Sequence, residues 1–352
     1  MRNSATVLLF LLFPAFILFT TPLRAASLPG DTTQLPCLEK AGKLLDEAIG
    51  FMQKNYYKKD WVDWNSLKDR AKSMLNASNN CDDAYAAITW CFRQLDEQHS
   101  FLMPPDKAAL YTNDENLLSR TPSLAELVGE MKGEWLQDSI AYITIPWVST
   151  TDSLVCEQIA DSLQAMIRRL DSKGVSKWII DLRKNTGGNC WPMLAGIGPL
   201  LGDGICGYFV STHSKIPISY QDGAALQGRH VRCRVSTNAY HTKHIHNSIV
   251  VLTGHKTVSA GEIVALAFKG KEQTYLYGEP TAGLTTANAT YSLSDHSMLI
   301  LTVCQEADHT GRICDGRILP DKYVSSETRE LAQQDPVKTA AINWLQSQQA
   351  LP

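Results

Sequence analysis

No C-x-x-C pair occurs among the nine cysteines of this 352-residue chain, so the usual structural zinc frameworks are excluded. No long basic run is present and the formal net charge is −3, which leaves a nucleic-acid partner without an electrostatic footprint. There is neither an internal repeat nor a low-complexity segment, so repeat arrays and compositionally biased tails drop out. The apolar run at residues 7–19 is short of the roughly 20 residues that a membrane-spanning helix needs.

What is present is ordinary globular material: 44% hydrophobic and 20% charged residues, in a chain long enough for one large domain or two modest ones. Arg2, the apolar run and the small residues Ala25 and Ala26 read as a secretory signal over residues 1–26; an uncleaved anchor is the other reading. Removal of the signal leaves no membrane span and predicts a periplasmic or extracellular protein. The first cysteine after it, Cys37, lies in "QLPC", a poor acylation site, so no lipid anchor is predicted. Export implies an oxidising compartment. Cys206 with Cys233, and Cys304 with Cys314, are near enough in sequence to be candidate pairs, although sequence does not give the connectivity. The odd count leaves at least one cysteine unpaired within the monomer.

Residues 27–103 are expected to form a small helical unit. Leu38, Ala41, Leu45, Ala48 and Met52 recur at spacings of three and four, and further helices are expected over residues 65–75 and 82–95. Residues 104–138 read as an irregular connection. From residue 139 to 352 the pattern alternates: "IAYITIPW" as a strand, "SLVCEQIADSLQAMIRRLDSKG" as an amphipathic helix, then "KWIIDL", "SIVVLTG", "TYLYG", "TYSL" and "MLILTV" as strands. Alternation of this kind predicts an α/β core. Asp335 and Pro336 mark the start of a last helix.

Three short stretches carry candidate chemistry. In "VVLTGHKTVSAGEIVALAFKG" a strand gives way to a helix, with Ser259 at the join. S-A-G-E satisfies a capping box, Ser259 as cap and Glu262 reaching back. The same geometry would put a hydroxyl beside the free N–H groups of a helix start, where an oxyanion is stabilised. In "WIIDLRKNTGGNCWPML", Gly187 and Gly188 follow a buried strand; they form either a tight turn or a loop whose amides approach a ligand. In "CFRQLDEQHSFLMPP", His99 sits in a turn, either solvated or the general base that a serine hydroxyl requires.

These pieces, in this order, resemble the C-terminal-processing (tail-specific) and tricorn-core serine peptidases. "IIDLRKNTGG" is similar to that family's strand and glycine loop, "TVSAGE…GEPTAG" to its nucleophile segment, "GRILPD" to a late G-x-I-x-P-D, and "DPVKTAAINWL" to its end. Each motif is short, but four in order over roughly residues 85–350 carry the resemblance. It implies a crotonase-like, Clp-protease-like α/β core. It also implies peptide or unfolded-protein substrates and acyl transfer from Ser259 to water without metal or cofactor. The oxyanion donors would be the N–H groups of Ala260 and of Gly187 or Gly188. The tail-specific branch carries a lysine base after its G-E-P-T-x-G; here that position is Leu284. The tricorn-like branch takes a histidine from an early turn, which "LDEQHS" matches, so His99 is the expected base. A late acidic residue orients the imidazole in that branch; Asp315 is nearest to the P-D motif and Asp308 second. The chain has no room for the peptide-binding PDZ domain of the tail-specific members.

Other readings of the same residues are a non-catalytic member that binds peptides or hydrophobic ligands, as in the related retinoid-carrying proteins, and an esterase or amidase using the same serine. His241, His244 and His246 in "HTKHIHN" could suggest a metal site, but no acidic residue or cysteine lies beside them. They are expected to be a solvated loop before a strand.

Overall fold

A computed structural model describes residues 34–348 apart from residues 79, 81–82, 96, 115, 117, 119, 121, 244–247 and 327–334. The expected signal segment, and His244 and His246, lie outside the described residues.

Three helices open the described chain: α1 (Gln34–Asn55), α2 (Trp64–Ser78) and α3 (Asp83–Gln94). Leu45, Ala48 and Met52, three of the residues predicted from periodicity, are fully buried against Ile88 and Cys91 of α3. Then follow β1 (Phe101–Met103), α4 (Pro105–Thr112), α5 (Leu124–Leu127), β2 (Gly133–Trp135), β3 (Ile140–Thr144), α6 (Ser153–Asp171), β4 (Lys177–Asp181) and α7 (Cys190–Leu201). An antiparallel run comes next: β5 (Gly204–Ser211), β6 (Ser214–Gln221), β7 (Ala224–Gln227) and β8 (His230–Arg234). The chain continues through β9 (Ser248–Thr253), α8 (Ala260–Phe268), β10 (Thr274–Gly278), β11 (Thr286–Ser292), β12 (Met298–Ala307), β13 (Lys322–Tyr323) and α9 (Pro336–Ser347). No helix among the described residues is long and apolar enough to cross a membrane.

Two sheets organise these elements. The first has the order β13-β10-β9-β4-β3-β2, parallel except where β2 meets β3. Strand β4 is apolar along its middle because both faces are covered, as parallel sheets require. Ile179 and its neighbours Val250 and Leu252 face Val337, Ala341 and Leu345 of α9. Trp178, Ile180 and Val251 face the other way, into the core built on α6, α7 and α8. The second sheet is antiparallel, β1-β12-β5-β6-β7-β8, with β11 also on β12. Leu299 and Leu301 of β12 enter the core of the helical unit, so that unit is packed onto the second sheet.

Strand pairing crosses the expected boundaries at 103 and 138. Strand β1 pairs with β12 and β2 pairs with β3, so residues 104–138 contribute α4, α5 and β2 to the fold. The start of α5 carries a capping box of its own, Ser123 with Glu126.

The two candidate disulfides are not formed, since Cys206, Cys233, Cys304 and Cys314 are all free. Cys206 is on β5 and Cys233 on β8, three strand positions apart in the sheet, a gap of about 14 Å at ordinary strand spacing. A disulfide tolerates less than about 7 Å between α-carbons. Cys314 lies alongside Glu306 rather than Cys304, its N–H donating to the Glu306 carbonyl, and its thiol turns to the Gly316 carbonyl. Among the described cysteines, Cys37 is disulfide-bonded.

Candidate active site

Strands β4 and β9 are adjacent and parallel, with Asp181 opposite Leu252. Their C-terminal ends therefore lie side by side, and so do the loops that leave them. This edge is where open parallel sheets place ligands. One loop holds Gly187 and Gly188; the other holds Ser259.

Ser259 has φ 52° and ψ −115°, a conformation that costs a non-glycine residue about 1–3 kcal/mol and persists only where its surroundings impose it. Glu262 imposes it. Its carboxylate, fully buried, accepts from the Ser259 N–H at 2.8 Å, from the N–H groups of Gly283 and Leu284 at 2.8 and 2.9 Å, and from the Thr281 hydroxyl. Burial pushes this carboxyl up from its ordinary range, against the four donors that pull it down. The capping-box arrangement is present, yet the Ser259 hydroxyl itself makes no capping hydrogen bond. The Glu262 N–H goes instead to the Ser259 carbonyl at 2.7 Å, so the hydroxyl stays available. The G-E-P-T-x-G segment thus supplies two of the four donors to Glu262, Thr281 and Gly283, and Leu284 just after it supplies a third.

The glycine loop packs directly on that turn. A Cβ at Gly187 would come within 2.9 Å of the Val258 carbonyl oxygen and 3.0 Å of the Ser259 Cβ; one at Gly188 would lie 1.9 Å from the Val148 oxygen. Both residues have φ near +98°, so glycine is needed for conformation and for space alike. Asn185, fully buried, fixes the loop by donating to the Ile145 and Pro146 carbonyls while its Oδ1 accepts the Gly187 N–H at 3.0 Å. That bond corrects the expectation for Gly187: its amide is already used, and it does not line the cavity described below. Gly188 and Ala260 both line it. Among the described residues neither of their N–H groups has a hydrogen-bond partner.

His99 arrives from the other sheet. Glu97 folds the turn by accepting from the N–H groups of His99 and Ser100 at 2.7 and 3.0 Å. Two residues on β11 grip the histidine: Thr286 Oγ1 lies 2.9 Å from its Nδ1, and Asn288 donates to its carbonyl at 2.9 Å. With the proton on Nδ1, the threonine hydroxyl accepts it and Nε2 keeps its lone pair. Burial pulls the imidazole below its ordinary value, outweighing the nearby Glu97 carboxylate and the Thr286 bond, which raise it. The ring is therefore neutral near pH 7, the state a general base needs.

Ser259, His99, Gly188 and Ala260 line one cavity of about 920 Å³. No direct hydrogen bond joins Ser259 and His99; such bonds often close only when substrate is bound. Leu284 is in the wall, and among the described residues no lysine lines the cavity. Asp315 is not brought to the site. It is exposed and off the cavity wall; the segment around it is held by the Gly316 carbonyl accepting from Thr285 and the Ile318 N–H donating to Thr281. The group at His99 Nδ1 is Thr286. Asp308, the second candidate, is occupied in a local turn with Thr310 and Arg312. His241 is exposed and 3.7 Å from Asp222.

Sequence reasoning missed Thr286, Asn288 and Glu97. A signal existed for the first two: a strand with polar residues two apart places both on one face. It missed Glu306 as well, a buried glutamate in the cavity wall.

Comparison with known proteins gives the family and the fold. The sequence pattern of peptidase family S41 matches residues 139–324, more than half of the chain, and the chain belongs to that family. It is 34% identical over 217 residues to a nisin-resistance protein of Lactococcus lactis subsp. lactis, a match that covers 60% of this chain and 62% of that relative. Among solved structures, a lipoprotein from Streptococcus agalactiae superposes with a TM-score of 0.66 at 23% identity, covering 92% of this chain and 99% of its own. A photosystem II D1 C-terminal processing protease gives 0.54 at 16%, covering 85% and 96%. The fold is the Clp-protease-like α/β core with helices at the N-terminal side, as the resemblance implied.

Proposed function

We propose that this chain is an exported serine endopeptidase that hydrolyses peptide bonds through an acyl-enzyme on Ser259. His99 Nε2 takes the hydroxyl proton as Ser259 Oγ attacks the carbonyl carbon. The N–H groups of Gly188 and Ala260 hold the oxyanion. The imidazolium then returns the proton to the leaving amine, and water releases the acyl group with the roles of His99 repeated. Thr286 fixes the tautomer. The observation that carries the reading is the strained Ser259 turn, held by Glu262 with its hydroxyl uncommitted, on one cavity with a neutral buried histidine. Export is supported by the apolar segment at residues 7–19. Membership of the S41 family supports peptide or protein substrates.

The test is Ser259→Asp. Aspartate is a good N-cap but has no attacking hydroxyl. The variant is expected to stay folded, lose fluorophosphonate labelling and lose peptide hydrolysis; hydrolysis at the wild-type rate would take the nucleophile role from Ser259.

A further inference from the structure

Glu306 is 1% exposed, and neither of its carboxyl oxygens has a hydrogen-bond partner among the described residues. Buried polar groups are nearly always paired, and an orphaned one asks for a cause. Burial and the neighbouring Glu262 carboxylate both push the Glu306 carboxyl well above its ordinary range. Glu262 offers it nothing, being saturated by its four donors.

The position of Glu306 is informative. On β12 it stands opposite Phe209 of β5, and Cys304, two residues earlier on the same face, stands opposite Ala287 of β11. All four residues belong to the wall of the cavity that holds Ser259. Phe209 meets Trp191 edge to face, with ring centres 6.1 Å apart. Cys190, two residues beyond Gly188, and Ile263, one helical turn beyond Ser259, complete this wall. In an acyl-enzyme the side chain on the acyl side starts next to the oxyanion, so residues just beyond the two oxyanion donors are the ones it meets. The pocket there is lined by Trp191, Phe209, Ile263 and cysteines, with Glu306 as its acid and with Arg232 stacked on the Trp191 ring 5.5 Å from its centre. A lysine or arginine fits such a pocket, with an apolar stem for the walls and donors at the tip for the acid.

We propose, on the basis of the serine-peptidase reading above, that Glu306 is the acid of the subsite for the residue on the acyl side of the scissile bond and selects a basic side chain there. The competing explanation is structural: a void of about 10 Å³ borders Glu306 together with Cys206, Ile218 and Leu266, room for about one water, and a trapped water would satisfy the carboxyl without any role in selection.

Two peptide aldehydes that differ only in ending in lysinal or norleucinal separate these cases. The two have nearly the same stem, and only one carries the ammonium. Each competes with a fluorophosphonate for Ser259, read by mass spectrometry. The lysinal is expected to protect at a concentration about ten- to a hundredfold lower, the range of a hydrogen bond to a charged group, and that ratio should collapse towards one in Glu306→Gln. Equal potency on a labelled wild-type protein overturns the subsite and leaves the peptidase reading standing. A ratio that survives Glu306→Gln overturns it too, since another group would then make the selection. No labelling of Ser259 at all removes the peptidase reading, and the subsite with it. Should the variant not fold, digestion of a peptide library by wild-type protein decides: cleavage sites without enrichment of lysine or arginine on the acyl side refute the proposal.

Discussion

Ser259 and His99 reach one cavity from opposite kinds of sheet. Ser259 leaves the end of a parallel strand and is locked by Glu262, three residues away, together with a loop about twenty residues on. His99 stands in a turn beside the antiparallel sheet, held by Thr286 and Asn288, partners 187 and 189 residues distant. The first half is built from local strain opposed by a buried carboxylate. The second is built from long-range contacts around a turn that has little regular structure of its own. The strained half should therefore be sensitive to loss of its carboxylate in both stability and rate, and the other half mainly in rate.

The comparison can be broken most forcefully at the serine. Ser259→Ala should leave only a residual rate, on the order of 10³-fold over water, from the oxyanion donors and binding. It should also relieve the need for a functional hydroxyl without unfolding the protein. Steady-state peptide hydrolysis and thermal melting read the two effects separately.

His99→Ala comes next, with turnover down by roughly 10² to 10⁴-fold. A variant that keeps its fold and hydrolyses at near wild-type rate would take the base role from His99.

Glu262→Ala sharpens the contrast, because it strips four donors of a buried acceptor. Leaving even two of them unsatisfied costs about 2–6 kcal/mol. The melting temperature should fall by several degrees and activity should fall with it. Thr286→Val should do the reverse: a drop in kcat of about tenfold, with stability changed by about 1 kcal/mol or less. If Thr286→Val destabilises as much as Glu262→Ala, the division between the halves is wrong.

The smallest effect is in pH. His99 is held below its ordinary value by burial, so the acid limb of kcat/KM should lie below about pH 6.5. For stability, the unfolded chain takes up a proton at about pH 6.5 while the folded chain resists until lower pH. Stability contributed by neutral His99 is therefore lost as pH falls through about 6.5 and stops changing below the folded value. Denaturant titrations at a series of pH values check the slope, which His99→Gln should lack.

The legible part of the site follows the same division. Strand, turn and helix around Ser259 are contiguous, and the S-x-x-E spacing places Glu262 correctly, so the proposed nucleophile and the Ala260 amide could be read from one stretch. His99 could be found by its turn, but its partners could not, because nothing local links residue 99 to residue 286. Asp315 misled because closeness to the P-D motif in sequence is not a place on the cavity wall: Thr285 and Thr281 hold the neighbouring Gly316 and Ile318, and Asp315 is left exposed. Choosing Gly188 over Gly187 needed the Asn185 side chain, which accepts one amide and leaves the other. Cysteine pairing failed because two strands intervene between Cys206 and Cys233, and because Cys314 docks beside Glu306 rather than Cys304. The α/β alternation was visible, while the sharing of a core between the helical unit and β12 was not.

The most direct test of the central claim is the rate and site of fluorophosphonate labelling in wild-type protein and in His99→Ala. The account predicts one adduct, on Ser259, forming on wild-type protein and slowed by about a hundredfold or more when the base is removed. An adduct on another residue, or labelling of Ser259 at the same rate without His99, would contradict it.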